Sequence, residues 1–135
     1  MPSLKWRAAR FISQVRGLRS SNPSGVRIMY DETPDVFTYV FVRQDMPIAN
    51  QIVQVGHACF EAGKKFDSPK ESCTLILFYV GNEESLLASV ERAHLAGVEM
   101  HIFYESDYPK GYTAACSQPI TGNARRAFEK CKLWR

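Results

Sequence analysis

The sequence has no apolar run near the roughly 20 residues that a membrane-spanning helix needs. It has no acidic residue among its first 20 positions and no Cys-x-x-Cys clip. The first lack argues against an integral membrane segment. Cys59, Cys73, Cys116 and Cys131 lie 14, 43 and 15 residues apart, a spacing that suits no zinc site. No metal is expected, and the thiols read as reduced and packed. G-x-S-x-G, the P-loop, G-x-G-x-x-G and H-E-x-x-H are all missing. The usual serine-hydrolase, nucleotide-binding and zinc-protease signatures go with them, and no cofactor is expected.

The missing acids make the charge lopsided. Lys5, Arg7, Arg10, Arg16 and Arg19 give residues 1–20 a charge of +5, whereas the other 115 residues hold 12 bases and 14 acids. The net +3 is therefore no broadly basic surface, and any polyanion contact rests on local clusters.

What is present suits one globular domain of 36–135 behind an N-terminal extension of 1–35. At 135 residues, 45% of them apolar, the chain is long enough to bury a core without staples. Residues 4–18 carry Leu4, Ala8, Phe11, Ile12, Val15 and Leu18 at helical spacing, followed by the linker "SSNPSG". The segment reads as a helix that packs or binds a partner. It also reads, being arginine-rich and acid-free, as a transit peptide. The first reading implies a cytoplasmic protein, and the second, if residues 1–25 are the transit peptide, a mitochondrial one. Oligomeric state is left open, a homodimer included.

The body alternates strand and helix. "VFTYVFV" (36–42), "CTLILFYV" (73–80) and "VEMHIFY" (98–104) read as strands, and 47–63 and 83–97 as helices between them. "TAAC" (113–116) starts a fourth strand and "NARRAFEKC" (123–131) a last helix. Strands joined through helices should run parallel, while "ESDYPKGY" (105–112) is too short for a crossover and implies an antiparallel return. The expected fold is α/β, a three-layer α/β/α arrangement. Its mixed sheet is expected to have four strands, three parallel and the last antiparallel.

That topology gathers Arg43, Asp45, Asn50, Glu105 and Thr113 at the carboxyl ends of the parallel strands, where open α/β sheets place ligands. Along the first helix, steps of about 100° put Asn50, Gln54, His57 and Glu61 on one face, with Ile48, Ile52, Val55 and Cys59 opposite. Taken alone such a stripe is usually a solvated face, although Asn and His are weak helix formers for that purpose. His57 reads as packed and hydrogen-bonded, and His94 and His101 as structural or exposed. Cys59 points about 160° away from His57, so the two cannot act as a nucleophile and its base.

Several pieces together resemble the type 2 peptidyl-tRNA hydrolase family. They are the strand ending "VRQD", the helix with Gln54, His57 and Ala58, the passage "LAGVEMHIFYES", the strand "TAACSQP" and the closing "FEKCKLW". The resemblance implies metal-independent cleavage of the ester joining a peptide to tRNA, with tRNA as partner. It implies catalytic roles for Thr113, for Glu105 in place of an aspartate, and for Asn50 where the family has lysine. Arg43 and Asp45 would fix the corner, and Gln54 and His57 would line the substrate. Lys110 would replace the missing charge, and Arg125 and Arg126 would hold phosphates. The alternative is a non-catalytic RNA- or protein-binding module on the same fold.

Overall fold

The computed structural model describes residues 35–70 and 72–135. The N-terminal helix and linker expected over 4–25 lie outside them. The order is β1 (Phe37–Arg43), α1 (Ile48–Lys65), β2 (Thr74–Val80), α2 (Glu83–Leu95), β3 (Met100–Glu105) and β4 (Gly111–Ser117). A 3₁₀ helix (Gly122–Phe128) and the two-residue β5 (Lys132–Leu133) close the chain.

The sheet is mixed and has five strands, ordered β3-β4-β1-β2-β5. This corrects the expectation of four strands with three parallel. Only β1 and β2 pair in parallel, and the β1–β4, β3–β4 and β2–β5 pairs are antiparallel. The reason is physical. A helical crossover sets a strand's direction but not its neighbour, and the β2-to-β3 crossover passes over two strands before β4 turns back between β1 and β3. β5 escaped notice because two residues carry no periodicity. The final helix is 3₁₀ and ends at Phe128, three residues short of the expected Cys131.

Alternation along the strands builds a core on each face. Phe37, Tyr39, Phe41, Ile76, Phe78 and Ala115 point to the side covered by Leu86 and Ala93 of α2 and by Phe128. Tyr39 and Phe128 stack with centroids 4.1 Å apart, and each buried aromatic of this kind contributes about 1.5–3 kcal/mol. Val40, Val42, Ala114 and Cys116 point the other way, against Ala58 and Ala62 of α1. The helices thus form the two outer layers.

α2 has full end chemistry. The Asn82 side chain accepts from the Ser85 N–H at 2.9 Å, and Glu83 and Glu84 occupy the first turn. At its far end Gly97, at φ +86, donates to the His94 carbonyl while Val98 donates to that of Ala93. That paired closure requires a left-handed residue, which glycine adopts at no steric cost. α1, by contrast, begins after Pro47 with no side-chain cap and no acid in its first turn. Its leading N–H groups carry their partial positive charge uncovered by any capping side chain.

Candidate functional site

α1 meets the sheet between the two faces read from the sequence: Gln54 of the polar stripe is buried and His57 stays exposed, while Val55 and Cys59 of the apolar face pack against the core. Gln51, Gln54, Ala58 and Ala62 are its buried residues, while Ile48, Ile52, Val53 and Phe60 stand exposed. The polar stripe is zipped to β3, whose alternate residues His101, Phe103 and Glu105 face it. Gln54 Nε2 donates to Glu105 Oε2 at 2.9 Å. One turn on, the His57 ring lies flat against Phe103, with centroids 4.6 Å apart and planes 6° from parallel. A further turn on, Glu61 Oε2 and His101 Nε2 stand 2.6 Å apart. Helix and edge strand run in opposite directions, so the three pairs follow one another like rungs.

Thr113 joins this face through a defect in the ladder. Phe103 pairs with Ala114 and Tyr104 with Tyr112, so Thr113 is the extra residue of a β-bulge. Strict alternation would send it to the α2 side with Ala115. The bulge re-aims it toward α1, where its hydroxyl donates to Gln54 Oε1 at 2.6 Å. The result is a chain, Thr113 to Gln54 to Glu105, made of residues 51 and 59 positions away from the helix residue at its centre. Thr113 is fully buried and Gln54 only 2% exposed. With Thr113 donating to its oxygen, the Gln54 amide is fixed with its NH₂ toward the carboxylate.

Glu105 is half-buried and both of its oxygens are engaged. The Gln54 donor, then the Asp107 N–H at 3.1 Å on Oε1, hold its carboxyl below the usual carboxylate range, and His57 nearby adds to the lowering. Hydrogen bonds to the charged form do this because protonation breaks them. The group is therefore an oriented, permanently ionised carboxylate at neutral pH.

The corner beside it is latched by Arg43. Its Nε and Nη2 donate to the two oxygens of Asp45 at 2.8 and 2.9 Å, and its Nη1 donates to the Tyr112 carbonyl at 3.2 Å. The Arg43 guanidinium holds the Asp45 carboxyl low in turn. Glu83 Oε2 accepts from the Tyr112 N–H at 2.9 Å. The start of β4, and Thr113 with it, is thereby tied to β1 and α2.

The other expected residues divide. Asn50 sits half-buried on α1 one turn before Gln54, at the mouth side of the stripe. Lys110 is exposed in the loop before β4 and makes no ion pair among the described residues. Arg125 is elsewhere: its guanidinium lies 3.5 Å from the Phe37 ring centroid and its Nε donates to the Tyr39 hydroxyl at 3.3 Å. Phe37 begins β1, and the site lies past its end and on the other face, about 20 Å away at roughly 3.3 Å per residue. Arg126, next in the same 3₁₀ helix, is exposed.

Two positions went unnoticed in the sequence. Phe103 is the platform for His57, but nothing marks it apart from other aromatic strand residues. Gln51 accepts from Trp134 Nε1 at 2.7 Å and donates to the Met46 carbonyl at 2.9 Å, and so pins the C-terminal tail to the start of α1. Among the described residues no group of three or more His, Cys, Asp or Glu is placed to hold a metal ion, and no helix is long and apolar enough to cross a membrane.

No family model and no curated protein matches the chain. Among solved structures it is similar to a protein of unknown function from Agrobacterium tumefaciens strain C58. The identity is 9% and the TM-score 0.49, over 75% of this chain and 98% of that one. A likeness of that degree fixes no ligand and no reaction.

Proposed function

We propose that the chain is a metal-independent hydrolase of peptidyl-tRNA or a related tRNA ester, acting at the mouth formed by α1, β3 and β4. The observation that carries this reading is the hydrogen-bonded chain from buried Thr113 and Gln54 out to the half-buried Glu105. Three elements distant in sequence converge to hold one carboxylate ionised and aimed, and a buried polar relay costs stability unless every member is satisfied. The resemblance to type 2 peptidyl-tRNA hydrolases supplies the substrate class.

In this reading a water attacks the ester carbonyl carbon and passes a proton to Glu105. The developing oxyanion accepts a hydrogen bond from the Asn50 amide, and the uncapped N-terminus of α1 adds partial positive charge. Collapse of the tetrahedral intermediate breaks the bond to the ribose 3′ oxygen, which takes the proton back from Glu105. Thr113, buried with its hydrogen committed to Gln54, is a positioning residue here, and His57 on Phe103 walls the site. A low pKa keeps Glu105 ready at neutral pH but makes it a weak base, and Asn50 lacks lysine's charge. Both point to slow turnover.

A tRNA-binding module without turnover is the second reading, favoured by that same missing cation. One assay separates them. Purified protein is incubated in EDTA with N-acetyl-aminoacyl-tRNA, and release of the acyl group is followed. Release that falls at least 100-fold in Glu105→Gln supports the hydrolase, as loss of a group acting in the transition state would. Salt-sensitive binding with no release above the no-protein rate would reject it for the module.

A further inference from the structure

α1 turns its apolar side outward. Ile48, Ile52, Val53 and Phe60 are 61%, 64%, 53% and 66% exposed. A Cβ built at Gly56 or Gly63 would meet no heavy atom within 4 Å. At about 100° per residue these six, with Ala49, fill one arc of roughly 140° that contains no charged residue. Gly56 lies near the middle of that arc and also at the midpoint of Ile48–Lys65.

The exposed apolar area is on the order of 500 Å², within the roughly 300–600 Å² of the largest patch on an ordinary monomer, a size that is often functional. Paired with an equal patch it gives about 1,000 Å² in total, the least that a specific interface needs. An equal patch exists on every other copy of this chain. Set antiparallel about Gly56, two such helices place Gly56 against Gly56, Ile52 level with Phe60, and Ala49 level with Gly63. The small residues let the backbones approach, and the large ones close the gap on either side. Lys64, whose Nζ lies 4.3 Å from the Phe60 ring centroid, stands at the rim of the arc. The basic N-terminal segment of the same chain fits less well, since its +5 charge would meet Lys64 there.

We propose that the outward face of α1 is the seam of a two-fold homodimer, with a second copy docked antiparallel across Gly56. A two-fold axis perpendicular to both helices keeps their flanks on the same side, so both Glu105 mouths open on one side of the assembly. The interface is isologous and closes at two copies.

The test uses the full chain. Light scattering should give the mass of two chains, falling twofold in Phe60→Glu, with an unchanged circular dichroism spectrum showing that the variant still folds. Gly56→Cys, placed on the axis, should form a cross-linked dimer under oxidised glutathione, within the Cα separation of about 4.4–6.8 Å that a disulfide allows. The unsubstituted chain with its four cysteines should not. A full chain of single-chain mass at every concentration overturns the proposal, as does a dimer that survives Phe60→Glu. A monomer in which the Gly56→Cys thiol resists iodoacetamide would give the face to residues 1–20 and overturn it equally.

Discussion

The Thr113 hydroxyl has one proton, and it goes to a side chain with almost no access to solvent. Removing it isosterically therefore tests the relay. Thr113→Val leaves the Gln54 oxygen buried without its donor, and should lower the urea midpoint by an amount equal to about 1–3 kcal/mol. Thr113→Ser, which keeps the hydroxyl, should lose much less. The carboxylate end answers to pH. Glu105 is held low first by Gln54, so its contribution to stability is present above the ordinary carboxylate range and lost only as pH falls through its lowered value. Gln54→Leu removes that largest cause. A carboxyl titration followed by NMR should then show Glu105 moving up toward the ordinary value of about 4.3, and any acid limb in activity should move up with it. At this scale the sequence was partly legible. Glu105 and Thr113 were reachable from strand ends and loop length. The bulge that turns Thr113 toward α1 was not, because one inserted residue leaves the hydrophobic pattern almost unchanged.

At the scale of the element, α1 shows why amphipathic pattern can mislead. Periodicity reports that a helix has two unlike faces; it does not say which face meets the sheet. Here Gln54, His57 and Glu61 find specific partners on β3, Val55 and Cys59 pack against the core, and Ile48, Ile52, Val53 and Phe60 are left outside. The hairpin between β3 and β4 was legible from its length, yet its tightest point was not. Gly111 sits at φ +121, and a Cβ there would collide with Glu83 Oε2. Gly111→Ala should thus cost more than about 1 kcal/mol, read as a lower urea midpoint. The Arg43 contact with the Tyr112 carbonyl should loosen with it. α2 was the most legible element, since acids at its start and Gly97 at its end are end signals with direct physical meaning.

For the whole molecule, the layered α/β class followed from alternating elements, whereas strand order did not, because crossover length leaves adjacency open. Charge is also a matter for the whole chain. Arg125 is committed to Phe37 and Tyr39 at the opposite pole and face from Glu105, so a polyanion entering at the mouth does not reach it there. Other concentrations of positive charge lie in residues 1–20 and in the closing run with Arg126, Lys130, Lys132 and Arg135. Replacing Lys5, Arg7, Arg10, Arg16 and Arg19 together with Gln in the full chain should flatten the salt dependence of the proposed tRNA binding. With each phosphate contact worth roughly 0.7–0.9 in the slope of log K against log salt, a drop of several units is expected. An unchanged slope would place the contacts elsewhere.

The bulge at Thr113 also separates shape from chemistry in one step. A regular ladder would omit that residue, so a chain lacking codon 113 loses a kink and gains an unbroken pairing of Phe103 with Ala114 and Tyr104 with Tyr112. Such a deletion should be better tolerated by the sheet than most single-residue losses from a strand, while leaving the Gln54 oxygen without its donor. Natural or engineered chains with that shorter strand would keep the scaffold and lose the relay from Thr113 to Glu105.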